Sequence, residues 1–118
     1  MLSVVLFLAL SQAAATAPPP PPRPVTQVLA MLAVKPGIER ARIMAVMPEE
    51  IRATVQLHLE GKIQQWYGRA DGLGVVFVLN CTSVEEARAS LAALPLLREN
   101  LVQMEYVALS PLFPLRLL

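Results

Sequence analysis

The sequence predicts an α+β domain whose elements run β-α-β-β-α-β, two strand-helix-strand units that meet at a central hairpin. Three observations predict it. An apolar run from Val25 to Val34 is followed by a stretch of helical spacing, Ile38 to Glu60. The segment Gly61 to Cys81, GKIQQWYGRADGLGVVFVLNC, reads as two strands around an Asp-Gly turn. A capped helical pattern opening at Thr82 or Ser83 then leads to a last alternating run, Leu101 to Leu109.

Residues 1–17, MLSVVLFLALSQAAATA, join an apolar run, Val4 to Leu10, to a small-residue stretch, which is the outline of a secretory signal peptide. A secreted or periplasmic protein is expected, with the mature chain beginning between Thr16 and Pro18. The apolar run falls short of the roughly 20 residues a helix needs to cross a bilayer, so no stable membrane span is expected. Residues 18–24, Pro18 to Pro22 with Arg23 and Pro24, form a stiff proline-rich linker, because proline fixes its own backbone and offers no donor to a sheet.

Residues 25–118 make the folded domain, enough chain for one modest core. Val25 to Val34 is apolar almost throughout and is stopped by Lys35-Pro36-Gly37, so it reads as a central strand covered on both faces. Ile38 to Met47 and Pro48 to Glu60 read as two helical segments, with stripes of Ile43, Val46 and Met47 in the first and Ile51, Val55 and Leu59 in the second. Proline suits the first turn of a new helix better than the interior of an old one. It leaves Glu49 and Glu50 near the positive end of the second segment, which Gly61 ends.

In the hairpin, a turn at Asp71 and Gly72 sets Trp66 opposite Phe77 and Tyr67 opposite Val76. Alternation gives Trp66, Val75, Phe77 and Leu79 one face, and Gln65, Tyr67, Arg69, Val76, Val78 and Asn80 the other. Trp66 is expected in the core beside Phe77. In the next helix Ala87, Leu91 and Leu94 form the apolar stripe, Glu85 or Glu86 completes the cap, and Pro95 ends the pattern. The last strand separates Met104, Tyr106 and Ala108 from Gln103, Glu105, Val107 and Leu109, and Pro111 and Pro114 then stop pairing.

Right-handed crossovers place both helices of this order on one face of a four-stranded antiparallel sheet, the ferredoxin-like arrangement. The first and third strands, apolar on both faces, fall at its centre. Val76, Val78 and residues of the first strand leave the far face too apolar for water, which predicts a homodimer packed sheet to sheet and open to further assembly.

The 118 residues carry ten basic and nine acidic side chains, a formal charge of +1, with no basic patch, so nucleic acid is excluded as a partner. The one cysteine, Cys81, rules out an internal disulfide and any multi-cysteine metal site, and reads as a buried, inert thiol. The lone histidine, His58, sits between Leu57 and Leu59 on a helical segment, a packed or partly exposed ring rather than a catalytic base. No triad and no metal-ligand spacing is visible, and no cofactor is expected.

The hairpin and the last helix-strand unit resemble the muconolactone isomerase family of the dimeric α+β barrel superfamily. Three pieces carry the resemblance across Val25 to Leu118: Gly61-Lys62 before a Trp-bearing strand, Leu94-Pro95-Leu96 after the second helix, and the Glu105 strand followed by Ser110-Pro111-Leu112. It implies a compact dimer with a ligand cavity between the sheet faces and cofactor-independent proton transfer on a small lactone. The chain departs from the family after its Pro-Leu, where Leu112-Phe113-Pro114 replaces a basic, histidine-bearing segment, so no catalytic residue carries over by name.

Candidate site residues therefore come from the predicted open face. Glu105, if burial raises its pKa, and Tyr67 are the candidates for catalysis; Arg69, able to fork onto a carboxylate, Gln65, Asn80 and Gln103 are candidates for binding a small molecule. Glu105 and Arg69 lie on opposite edge strands and meet only across a dimer. Three readings follow: a cofactor-independent isomerase acting on a small oxygenated molecule, a noncatalytic exported binding or structural dimer, and a cofactor-free monooxygenase of the same superfamily. An acid-base group in a dry cavity marks the first, its absence the second, and an aromatic, amide-rich cavity the third.

Overall fold

The computed structural model describes residues 18, 19 and 23–117. The secretory segment expected over residues 1–17 lies outside the described residues, as does the middle of the proline-rich linker. Four strands, β1 (Gln27–Val34), β2 (Ile63–Gly68), β3 (Gly74–Leu79) and β4 (Val102–Leu109), form one antiparallel sheet in the order β2-β3-β1-β4. Helix α1 (Arg40–Leu59) joins β1 to β2, and α2 (Val84–Leu91) with the short α3 (Pro95–Arg98) joins β3 to β4. This is the ferredoxin-like α+β fold, with the two more apolar strands at the centre and the two mixed strands at the edges.

Alternation in β1 decides what lies on each side of the sheet. Val28, Ala30 and Leu32 are buried against the helices beside Leu79, Phe77 and Val75 of β3 and Ala108, Tyr106 and Met104 of β4. The other side carries Leu29, Met31, Val76, Val78 and Val107, half-buried or exposed within one chain. The core has two parts: Val28, Ala30, Ile63, Phe77, Leu79, Ala87, Leu91 and Leu94 in one, Leu32, Ile43, Leu96, Leu101 and Val102 in the other. Cys81 belongs to the first, and burial pushes its thiol pKa up, which leaves it protonated and unreactive.

The hairpin has the register its turn predicts, Trp66 opposite Phe77 and Tyr67 opposite Val76. Its loop is longer than two residues. The Gly72 N–H donates to the Arg69 carbonyl at 3.0 Å, the Leu73 N–H to Asp71 Oδ1 at 3.0 Å, and Gly72 takes φ 76°, a conformation few side chains tolerate. The Arg69 N–H then reaches the Gly74 carbonyl, so the pairing keeps its centre despite the wider loop. Gln64 bulges out at the other end, between Ile63 and Gln65.

Residues 40–59 form one helix, where two segments were expected to meet at Pro48. Proline there removes the N–H that would bond the Met44 carbonyl, on a turn whose Met44 is 53% exposed. Continuity carries the phase of Ile43, Val46 and Met47 onward to Glu50, Ala53 and Leu57, which turn inward. The stripe expected to do so, Ile51, Val55 and Leu59, is exposed instead. Gly61 ends α1 as predicted, its N–H bonded to the His58 carbonyl and the Lys62 N–H to the Leu57 carbonyl.

Ser83 caps α2, its Oγ accepting from the Glu86 N–H while the Glu86 carboxylate accepts from the Thr82 N–H. The helix stops at Leu91, before Pro95. That proline opens α3 at its first position, and Asn100, at φ 62°, closes α3 with the Leu101 N–H bonded to the Leu96 carbonyl.

Candidate functional site

Because α1 runs unbroken past Pro48, it carries two apolar stripes. One, through Ile43, packs into the core; the other, Met44, Ile51 and Val55, is exposed among the described residues and borders a cleft of about 890 Å³ between α1 and the β2–β3 hairpin. Leu32, Val75 and Phe77 line it from the sheet, and Trp66 and Leu73 from the hairpin. Two charged residues line it, the exposed Arg40 near the start of α1 and the buried Glu50.

Glu50 is 6% exposed. Its Oε1 accepts a hydrogen bond from the Leu96 N–H at 2.8 Å. Leu96 stands in the first turn of α3, where backbone N–H groups have no partner within the helix, so the carboxylate supplies one from another element. Burial pushes the Glu50 pKa above its ordinary 4.5, outweighing the Leu96 N–H and the Thr54 hydroxyl, which favour the ionised form. Thr54, one turn along α1, also lines the cleft, and its hydroxyl donates to the Glu50 carbonyl at 2.8 Å.

Trp66 is 41% exposed rather than enclosed in the core. It faces the helices as its register requires, but β2 is an edge strand, and the ring is met there by His58 of α1, with centroids 4.2 Å apart and planes 28° from parallel. His58 Nδ1 lies 2.9 Å from the Ile63 carbonyl. A carbonyl only accepts, so Nδ1 carries the hydrogen and the imidazole is fixed against the start of β2. Trp66 thus borders the cleft with His58 stacked on its ring.

The residues chosen from the sequence lie elsewhere in the sheet. Tyr67 and Gln65 are exposed in β2, Tyr67 at the border of the cleft; Gln103 and Glu105 are exposed in β4, on the opposite edge, with β3 and β1 between. Arg69 is engaged by Asp71 at 2.6 Å, within the hairpin loop. The Leu73 N–H and then the Arg69 guanidinium hold the Asp71 carboxyl below the usual range, as suits a turn residue. Asn80 is exposed after β3, its N–H bonded to the Lys62 carbonyl. Within one chain these residues do not converge, and the cleft opens on the helix side of the sheet rather than between sheet faces.

A helix restarting at Pro48 hides Glu50, whereas the continuous α1 turns it inward. Counted through the proline, Glu50 falls three residues after Met47 and three before Ala53, a carboxylate in the buried phase of an amphipathic helix, and that was the signal. Among the described residues no three or more His, Cys, Asp or Glu side chains gather as metal ligands, and no helix is long and apolar enough to cross a membrane. No protein-family model and no curated protein matches the chain.

Proposed function

We propose that this chain is a muconolactone isomerase-like protein of the dimeric α+β barrel superfamily, exported by its N-terminal segment. It acts without cofactor, moving a proton on a small oxygenated molecule held in the cleft between α1 and the hairpin, with Glu50 as the acid-base group. The observation that carries this is a single buried carboxyl, its pKa raised by burial, in a cleft otherwise lined mainly by apolar side chains. A carboxyl whose pKa is raised by burial can give a proton to a carbonyl oxygen in its protonated form or take one from the adjacent carbon in its ionised form. The apolar far face of the sheet supports a homodimer, in which the cleft of each chain stays on the outer, helical side.

A noncatalytic binding dimer is the second reading, favoured by the Glu50–Leu96 hydrogen bond, which gives the carboxyl a structural role of its own. Glu50→Gln separates the two, because an amide oxygen still accepts from the Leu96 N–H but the side chain no longer exchanges a proton. The probe is 1-tetralone, a neutral bicyclic ketone, with loss of its α-hydrogens followed by NMR in deuterium oxide. The protein should accelerate that exchange over buffer, and Glu50→Gln should reduce the acceleration by about 100-fold or more. Equal exchange by a folded Glu50→Gln variant would leave only the binding reading.

A further inference from the structure

We infer that the cleft takes an uncharged, ring-bearing and mostly hydrocarbon molecule that presents one hydrogen-bond-accepting oxygen to Glu50, and that it turns carboxylates away. The inference rests on the same cleft as the proposed activity but not on proton transfer. Its volume, about 890 Å³, lies within the range of small-molecule sites, which is roughly 300–1,000 Å³. Met44, Ile51 and Val55 are a stripe of apolar side chains left exposed among the described residues, so a hydrocarbon body gains by displacing water from them.

Charge decides the class. Among the described residues, Glu50 and Arg40 are the charged side chains that line the cleft, so an anion at its inner end would sit beside Glu50. The other charged lining residue, Arg40, lies ten residues earlier on the same helix, roughly 15 Å away at 1.5 Å per residue, and is exposed to water. Trp66, stacked with His58, lines the cleft and is an aromatic partner for a ring. The direction of the polar contact follows from Glu50 itself. One carboxyl oxygen is occupied by the Leu96 N–H, and in the protonated form that burial favours, the other is a donor. Its complement on the ligand is a carbonyl or ether oxygen.

The chain has one tryptophan, so its fluorescence reports occupation of the cleft directly. The full chain is titrated at pH 7 with 1-tetralone, with tetralin, which lacks the oxygen, and with 1-naphthoate, a carboxylate of like size. One hydrogen bond to a buried carboxyl should make 1-tetralone bind about tenfold tighter than tetralin. Desolvating an unpaired carboxylate should make 1-naphthoate at least about tenfold weaker than 1-tetralone. Glu50→Leu should erase the difference between tetralone and tetralin; should that variant not fold, Glu50→Gln, whose amide can donate to the ketone, should keep the difference within about threefold of wild type. Tighter binding of 1-naphthoate, equal binding of tetralone and tetralin, or no response to any of the three would overturn the inference. Binding in the expected order without hydrogen exchange would remove the proposed activity and leave the ligand class standing; Glu50-dependent exchange with 1-naphthoate preferred would do the reverse.

Discussion

Glu50 joins a structural contact to a chemical one, and the two respond differently to substitution. Removing the acceptor altogether, as in Glu50→Ala, leaves the Leu96 N–H buried without a partner and should cost about 1–3 kcal/mol in chemical denaturation, whereas Glu50→Gln should cost much less. The pH dependence separates them again. Burial raises the Glu50 pKa in the folded protein above 4.5, so the native state holds its proton to higher pH than the unfolded chain does. Its contribution is therefore fully present below about pH 4.5 and is lost as pH rises through the raised value. Thermal unfolding of wild type and Glu50→Gln across pH 4 to 8 should show the variant gaining on the wild type as pH rises. A constant difference would mean that Glu50 titrates at its ordinary value.

At the scale of elements, Pro48 and Gly74 are the informative positions. If α1 is continuous, Pro48→Ala restores a hydrogen bond to the Met44 carbonyl and relieves the ring's clash with the preceding turn, so it should stabilise the protein by about 1–3 kcal/mol. At the first turn of a separate helix the same change would be neutral or unfavourable. Gly74 opposes Ala33 in the β1–β3 ladder, and a Cβ there would fall 1.8 Å from the Leu32 carbonyl oxygen, a backbone atom that cannot swing aside. Gly74→Ala should destabilise by about 2–3 kcal/mol, measured by denaturant unfolding. These elements also mark what the sequence could disclose. Strand order, the hairpin register and the Ser83 cap were legible because each follows from local chemistry: uninterrupted apolar runs, an Asp-Gly turn, and a Ser with Glu three residues on. The site was not. Its position depends on whether α1 keeps phase across Pro48, and the proline's local preference for a helix start pointed the other way, turning Ile51 and Val55 inward and Glu50 outward. Trp66 was misjudged for a related reason: register gave its face correctly, but the cover over an edge strand depends on where the helix lies.

For the whole molecule, the sheet divides two surfaces to which separate tasks are proposed. The face bearing Leu29, Met31, Val76 and Val78 is the one that the proposed dimer covers, and the cleft lies on the other. Val76→Glu should therefore give a monomer in sedimentation while the cleft still binds 1-tetralone within about threefold of wild type, since Val76 itself does not line the cleft. Joint loss of both by a folded variant would mean that the partner chain completes the site. That outcome would return attention to Tyr67 and Arg69, which within one chain are separated from Glu105 by β3 and β1. The most direct measurement is a crystal structure of the protein with 1-tetralone bound. The account predicts the ketone in the cleft of each chain, its ring against Trp66 and its oxygen about 2.6–3.2 Å from the Glu50 carboxyl. Ligand lodged between the sheet faces beside Arg69 and Glu105, or held at Arg40 away from Glu50, would contradict it.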